Sequence, residues 1–365
     1  MYEVIFLNKD LETEYRCKTV DYLWDSKLYE PGEFQIQIIA DDDLDFDVCK
    51  YIITNTKKEI GLLERYELDS SSPGTVLISG YFMEQDLFRS VIYPTYEVTG
   101  KDIWTIKNEI CAKYLDNIGY DLTLPTMPSS GVIPDGAKQV SFQQTGDYVG
   151  TALYALASAN GCGVAVTKND TGLTVDITNY HDRTGETEDE EVVLSVSLNN
   201  IKKYDVIKDS SNYRNVAVVA GAGEGSARVF RIVDISKDGE RKRHLWVDAR
   251  DLQQETLSDE EQREFPFKAY QQYLAKLNQR GLEKLAECVE IDNVEVEVDL
   301  ETAERIGSDF DLGDIVWVAI NPYNLIYKMK IIEVEDTFNA GQRSVSIVFG
   351  DKIPTPWEKV RTLYR

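Results

Sequence analysis

The residues whose type and spacing best suit chemistry are aspartates that recur at alternate positions. Asp309, Asp311 and Asp314 lie in the sequence DFDLGD, and closely spaced oxygen ligands are what a hard cation such as Ca²⁺ prefers. The spacing differs from an EF-hand, because no acidic residue closes a twelve-residue loop. Residues 41–47 (DDDLDFD) also contain alternating aspartates, but Val48, which follows them, stands where a calcium-binding loop requires glycine. We therefore interpret both segments as turns and keep the first three aspartates only as metal-ligand candidates.

A glycine-rich segment invites comparison with nucleotide-binding loops. Residues 221–225 (GAGEG) follow a strand pattern, but the dinucleotide fingerprint GxGxxG needs its last glycine at position 226 and a helix next. Position 226 is serine, and residues 227–235 have the pattern of a strand. The segment therefore predicts a glycine-rich turn or bulge, and we predict no bound cofactor.

Residues that serve as nucleophiles and general bases are scarce. The two histidines, His181 and His244, lie near neither a cysteine nor a GxSxG serine, which argues against hydrolase chemistry based on histidine. A hydrolase that uses paired carboxylates stays open, because such pairs form in space rather than in sequence. The cysteines form no CxxC pair and their number is odd, so we expect free thiols; they are Cys17, Cys49, Cys111, Cys162 and Cys288.

The charge balance limits the partners of this chain. Its 64 acidic and 39 basic side chains give a formal net charge of −25. Phosphate contacts need Lys and Arg, so the charge argues against binding to duplex nucleic acid, although it favours solubility before assembly. No apolar run approaches the ~20 residues that span a bilayer, and the N-terminus lacks the basic region of a signal peptide. We expect synthesis in the cytoplasm.

The pattern along the chain predicts a predominantly β protein of the α+β class. We expect two barrel-like antiparallel β modules, a small α+β insert and a helical insert. The expected boundaries are 1–98 for the first β module, 99–190 for the α+β insert, 191–250 with 290–352 for the second β module, 251–289 for the helical insert and 353–365 for a C-terminal tail.

The clearest elements are a C-terminal meander and several amphipathic helices. Residues 344–349 alternate in polarity, and they follow two further strand patterns separated by turn residues. Residues 101–115, 147–159 and the region after Phe267 show helical periodicity. We expect Asp248 and Arg250 to form an ion pair that fixes a corner. Further residues expected to have structural roles are Trp24, Gly32, Phe34, Gly313 and Asp314.

Several segments together resemble the tail-tip hub proteins of siphophages. These are similar to the N-terminal hub region of tail-associated lysins and to the central hub of contractile phage baseplates. The order of the segments carries the resemblance more than any single one does. They are 24–38 (WDSKLYEPGEFQIQI), 61–69 (GLLERYELD), 78–92 (ISGYFMEQDLFRSVI), 210–234, 244–252 (HLWVDARDL), 279–287 (QRGLEKLAE), 309–318 (DFDLGDIVWV) and 344–350 (SVSIVFG).

The resemblance implies a non-enzymatic structural protein of the virion tail of a phage or prophage. In the family, two related barrel domains per subunit let a homotrimer form a pseudo-sixfold ring around a channel. The implied partners are further copies of the chain, distal tail or tube rings, the tape-measure protein and downstream tip or fibre proteins. DNA would pass through the channel without specific binding, and an acidic lumen would let it slide. No membrane insertion by this chain is implied.

Two other classes of function stay open at the level of sequence. One is a cell-wall carbohydrate hydrolase that uses carboxylates, and the other is a carbohydrate-binding adhesion module. Many relatives continue into a peptidoglycan hydrolase, whereas this chain stops at Arg365. We therefore expect no activity on cell walls.

Overall fold

Alternating apolar and polar residues form most of the regular structure in this protein. The computed structural model describes residues 3–68, 71, 74–115, 133, 135–168, 172–187, 189–252, 267–286, 288 and 291–350. Strands predominate and helices are fewer, so the predicted class, mainly β with α+β inserts, is confirmed. Within the described residues, no helix is long and apolar enough to cross a membrane.

The first β module is built around the long strand β2. Its strands pair in the order β5-β4-β1-β2-β3-β7-β6, all antiparallel. The core of the module contains Trp24, Phe34 and Phe82. The strands are β1 (Glu3–Leu7), β2 (Thr13–Lys27), β3 (Glu33–Ile39), β4 (Tyr51–Thr54), β5 (Gly61–Leu62), β6 (Arg65–Leu68) and β7 (Thr75–Tyr81).

The α+β insert follows this module. Helix α1 begins after Asp102, whose carboxylate accepts a hydrogen bond from the Thr105 amide at 2.8 Å. Both helices pack on the sheet of β10 and β11, in a core that also includes Leu62 and Leu87 of the first module. The elements are β8 (Thr95–Lys101), α1 (Ile103–Tyr114), β9 (Val140–Thr145), α2 (Val149–Ser158), β10 (Gly163–Lys168) and β11 (Leu173–Thr178).

The second β module resembles the first and contains the predicted C-terminal meander. Strand β12 pairs parallel with β18, and β18-β19-β20-β17 continue antiparallel, with β13 beside β17. Its elements are β12 (Val193–Ser195), β13 (Ile201–Asp209), β17 (Ile291–Val298), α4 (Leu300–Glu304), β18 (Ile315–Ile320), β19 (Leu325–Asn339) and β20 (Gln342–Gly350).

The register of the meander in one module repeats in the other. Glu3 pairs with Lys18 and Ile315 pairs with Lys330, so both partners are shifted by 312 positions. The register also slips at the corresponding point, between Thr19 and Asp21 in β2 and between Ile331 and Glu333 in β19. The strand set β1-β2-β3 is therefore structurally equivalent to β18-β19-β20.

The two equivalent long strands pair with each other and join the modules. Residues 22–27 of β2 lie antiparallel to residues 333–338 of β19, with Trp24 opposite Asp336. This seam makes one sheet of 13 strands. The segment 61–68 pairs with β4 through its first residues and with β7 through its last. Its strand is interrupted after Leu62, and no sheet of the described residues forms a continuous closed barrel.

Residues 207–292 form a separate unit that the sequence pattern had not separated. Its sheet has the order β15-β14-β16, and α3 packs on it. A Cβ on Gly281 would lie 2.6 Å from Val233 Cγ2, so glycine permits this close packing. The elements are β14 (Val216–Ala220), β15 (Phe230–Asp234), β16 (His244–Asp248) and α3 (Lys268–Ala286).

This unit differs from the expected division of the chain. Residues 191–250 were assigned to the second β module, but β14–β16 share their core with α3 instead. The physical reason is that Ala217, Val219, Val233 and Val247 bury their side chains against Tyr273 and Leu277 of the helix. The other predicted boundaries stay predictions, and the C-terminal tail 353–365 lies outside the described residues.

Candidate functional site

The seam between the two modules has two chemically different faces. On the inner face, Tyr22 and Trp24 of β2 are buried with Asp336 of β19, which has no exposed surface. On the outer face, Asp25 pairs with Glu335. Because side chains alternate along a strand, one register produces both arrangements. The seam is therefore the candidate functional site, and its two faces are considered in turn.

Asp336 is held by cations from both modules. Its carboxylate accepts hydrogen bonds from Lys57 Nζ at 2.7 Å, from Arg343 Nη2 at 2.8 Å and from the Tyr22 hydroxyl at 3.0 Å. Burial opposes ionisation, but the hydrogen bonds and charges of Arg343 and Lys57 outweigh it and hold the pKa of Asp336 below its usual range. Asp336 therefore links the first module to the second as an ionised carboxylate.

Carboxylates cross the outer face of the sheet in a single row. Glu33 on β3 is opposite Asp25 on β2, and Asp25 is opposite Glu335 on β19. Ser346 on β20 follows, and then Glu297 on β17. We call Glu33, Asp25, Glu335 and Glu297 the carboxylate row. Cross-strand neighbours have Cβ atoms about 5 Å apart, and like charges at that spacing are destabilising.

Lys27 only partly compensates this charge. Its ammonium lies 2.9 Å from Asp25 Oδ2, 3.3 Å from Glu33 and 3.8 Å from Glu30. Burial, with Glu33 and Glu30 nearby, raises the pKa of Asp25 despite Lys27. The pKa of Glu335 is also raised, first by burial and then by Asp25. Lys203 pairs with Glu297 at the other end of the row. The row thus carries four carboxylates across five strands, with Lys27 near one end and Lys203 at the other.

The metal-ligand candidates are engaged within the protein. Asp309 accepts hydrogen bonds from Arg305 Nε at 2.6 Å and from Ser308, and Asp311 pairs with Lys58. Asp314 accepts from the amide of His181 at 2.8 Å, and burial raises its pKa. Among the described residues, no cluster of three or more His, Cys, Asp or Glu side chains could hold a metal ion.

The predicted structural residues of the first module lie together beside the seam. Trp24 is buried, and its ring centroid is 4.7 Å from that of Phe82 and 6.0 Å from that of Phe34. Its indole donates to Glu59 at 3.2 Å. A Cβ on Gly32 would lie 2.3 Å from the Asp25 carbonyl oxygen, so this position requires glycine.

The remaining predicted residues lie in turns or at the end of a strand. Gly313 lies in the turn before β18 and has a φ of +95°, a backbone angle that favours glycine. Arg250 and Asp248 form the expected ion pair, with Nη2 and Oδ2 2.6 Å apart. Arg228 also reaches Asp248, at 2.8 Å. The structure places this pair in the unit of residues 207–292.

A cavity of about 400 Å³ borders the seam and contains the carboxylates of Glu59 and Glu84. Glu84 is 7% exposed and accepts a hydrogen bond from the Val166 amide at 2.7 Å. Burial raises its pKa to about 7. Glu59 accepts from Trp24 and, at 2.9 Å, from Ser26. Both carboxylates therefore bind groups of the protein itself and hold the α+β insert and the strands around Trp24 in place.

Sequence reasoning missed Asp336 and the carboxylate row. Asp336 lies in EVED at the end of a strand pattern, where it looks like one more exposed acid. The net charge of −25 and the glutamates that alternate with valines in residues 294–298 indicate acidic surface, but neither locates the row. Nothing in the sequence indicates that β2 and β19, about 310 positions apart, are neighbours.

Comparisons with known proteins agree with this fold. A family model described as Siphovirus ReqiPepy6 Gp37-like protein matches residues 4–351. No curated protein matches the sequence significantly. The fold is similar to that of a tail protein from Neisseria meningitidis MC58, at TM-score 0.58 and 14% identity over 96% of this chain and 97% of the other.

Two prophage proteins give similar values. The 43 kDa tail protein of prophage MuSo2 from Shewanella oneidensis has TM-score 0.55 and 15% identity over 96% and 98% of the two chains. The prophage tail protein gp18 from Listeria monocytogenes EGD-e has TM-score 0.51 and 12% identity over 99% and 98%. The fold of this chain is thus shared with phage tail proteins.

Replacing Asp336 by asparagine should destabilise the protein by about 3 kcal/mol or more at pH 7, because Lys57 and Arg343 lose their buried counter-charge. The pKa of Asp336 is lower in the folded state than the value of about 3.9 in the unfolded chain. Its contribution to the free energy of unfolding is therefore complete above the unfolded-state pKa and is lost as the pH falls through the folded-state pKa. Denaturant unfolding at pH 7 and at pH 3 measures both effects. Asp205→Asn on the exposed side of β13 is the control, and an equally small loss in both variants would contradict the role of Asp336.

Glu335→Gln should act in the opposite direction and stabilise the protein by about 0.5 kcal/mol at pH 7, because it removes a like charge opposite Asp25. The pKa of Glu335 is higher in the folded state than in the unfolded chain. Its ionisation therefore lowers the free energy of unfolding as the pH rises toward the folded-state pKa. The difference from the wild type should therefore disappear below about pH 4. Thermal unfolding across this range checks it, with Glu97→Gln on β8 as the control; a destabilised Glu335→Gln at pH 7 would contradict this account of the row.

Proposed function

The chain belongs to the family described as Siphovirus ReqiPepy6 Gp37-like protein, and we propose that it is a structural protein of a phage or prophage tail tip. The observation that carries this proposal is the repeated meander, in which β1-β2-β3 and β18-β19-β20 share one register and pair across a seam. Such a duplication gives one chain two similar surfaces. That is what a ring-forming hub needs.

The finer proposal is a homotrimeric hub with pseudo-sixfold symmetry. Three copies with two equivalent strand sets each would present six similar units around one axis. Closed rotational symmetry is the usual arrangement of identical subunits, and an internal repeat doubles its apparent order. A ring of this kind could join sixfold tube rings to the tip. Its partners would be tail ring proteins on one side and the tape-measure and tip or fibre proteins in and below the channel.

We place the carboxylate row on the wall of the channel. A wall of Glu33, Asp25, Glu335 and Glu297 keeps a net negative charge even with Lys27 and Lys203 paired to it, so DNA gains little by binding to it. At physiological salt the repulsion extends only about 8 Å, which keeps DNA off the wall without closing a wide channel. Repulsion of DNA would be the function for which this face keeps like charges on adjacent strands, although they reduce stability.

We further propose that the chain has no lytic activity. A carbohydrate hydrolase would need two solvent-facing carboxylates, one of them with a raised pKa. Glu84, Asp176 and Asp314 line the cavity and have raised pKa values, but Asp176 accepts a hydrogen bond from the Ile177 amide and Asp314 accepts one from the His181 amide. Glu84 is 7% exposed and bonded to the Val166 amide. Glu59, its neighbour in the cavity, is bonded to Trp24 and Ser26. These bonds support a structural use of both groups.

A cryo-EM map of assembled tail tips tests the proposed role. We expect three copies in one ring, with β1-β2-β3 and β18-β19-β20 alternating around the axis and the carboxylate row facing the lumen. A lumen lined mainly by Lys and Arg would refute the acidic wall. Absence of the chain from purified tails would refute the tail-tip role itself.

Turbidity of purified cell walls tests the lack of lytic activity. The isolated chain should leave the turbidity unchanged over hours, whereas lysozyme added in parallel should clear the suspension. Clearing by the wild type that Glu84→Gln abolishes would instead show that the cavity is a catalytic site.

A further inference from the structure

The unit of residues 207–292 exposes an apolar sheet face. Helix α3 covers one side of the three-stranded sheet, where Val219, Val233 and Val247 are buried. The opposite side carries Ile232 and Trp246, which flank Val218 in one row of the register. Ile232 is 64% exposed and Trp246 is 59% exposed. Contiguous exposed apolar residues of this size are typical of interaction sites.

The face is ordered before any partner binds. The rings of Phe230 and Trp246 lie 6.1 Å apart, and the guanidinium of Arg228 is 6.0 Å and 5.7 Å from their centroids. Arg228 is fixed by Asp248 at 2.8 Å and by the Ala220 carbonyl at 2.9 Å. Aromatic residues and arginine dominate the binding energy of protein interfaces, and a preorganised face loses little entropy on docking.

The charge around this face is opposite in sign to that of the whole chain. Residues 228–250 contain seven Lys or Arg and four Asp or Glu, whereas the chain has a net charge of −25. A complementary surface should therefore be both acidic and apolar.

The first β module of the same chain presents such a surface. Residues 41–47 contain five aspartates, and Phe46 in this loop stacks on Tyr66 of β6 with ring centroids 4.2 Å apart. Tyr66 is 49% exposed, and Leu68, on the same strand, is 68% exposed. Acidic and apolar groups thus lie side by side on the first module, as basic and apolar groups do in the unit of residues 207–292.

We propose that the Ile232–Trp246 face of one copy docks against the residue 41–47 loop and β6 of a second copy. The proposal rests on the proposed function, because it supplies the contact between neighbouring subunits of the ring. Two different surfaces of one chain make a heterologous contact, which leads to a ring when the rotation closes. A face that docked on itself would give a closed pair instead.

Two single variants and their mixture test this contact. Ile232→Glu and Leu68→Glu should each weaken self-association at least about tenfold and shift the mass in solution toward the 41.5 kDa monomer. Ile326→Glu is the matched control, because Ile326 is also 64% exposed but lies on β19. Circular dichroism and thermal unfolding confirm that each variant is folded, and Trp246→Ser provides a second variant of the same face.

The mixture distinguishes this contact from other modes of association. The Leu68→Glu copy keeps an intact Ile232 face and the Ile232→Glu copy keeps an intact Leu68 surface, so an equimolar mixture should form a 1:1 dimer and no larger ring. Loss of association in Ile232→Glu alone indicates face-to-face docking and overturns the proposal. So does a wild type that stays monomeric at every concentration. If both variants associate like the wild type, this contact is wrong, while the tail-tip role still depends on the map of the assembled tail.

Discussion

The antiparallel pairing of β2 with β19 is the interaction on which the rest of the structure depends. It joins two β modules whose meanders share one register, and it places residues from opposite ends of the chain in hydrogen-bonded contact. Along one edge, β2 pairs with β3 of its own module. Along the other edge, its first half pairs with β1 and its second half pairs with β19. Strand β19 is arranged in the same way, with β20 on one edge and β18 followed by β2 on the other. Loss of this pairing would leave two sheets with exposed edges, which natural proteins avoid.

Because side chains alternate between the two faces of the sheet, the seam places a paired carboxylate on its inner face and a row of carboxylates on its outer face. On the inner face a single carboxylate, Asp336, is matched by Lys57 and Arg343, so its ionisation strengthens the joint. On the outer face Asp25 and Glu335 oppose each other with Lys27 as the partner of one of them, so ionisation costs stability. Asp25 is itself only 5% exposed and is paired with Lys27, as a buried charge must be, whereas Glu335 opposite it is partly exposed and its repulsion is partly screened by water and salt. Acidic side chains on the two faces of one seam therefore have opposite effects on the stability of the fold.

Local elements were predictable because their signals are local. The alternation in residues 344–349 predicted β20, and the apolar stripe of residues 147–159 predicted α2. The glycine-rich segment at 221–225 proved to be a turn ahead of β15, as the serine at position 226 and the strand pattern after it indicated. The assignment of residues 207–250 to the second module failed for the opposite reason: strand patterns do not reveal which sheet a strand joins, and here the packing of α3 decides it.

The sequence by itself determined the mainly β class, the acidic surface and the segments that resemble a tail-tip hub, since composition and periodicity are properties of neighbouring residues. Tertiary structure alone decided that β2 and β19 meet, that Asp336 lies on the inner face of the seam while Asp25 and Glu335 lie on the outer face, and that two meanders repeat one register. The identities of the residues in the two meanders differ, so the repeat is visible only in hydrogen bonds between strands. Those bonds involve backbone groups, which every residue other than proline carries alike.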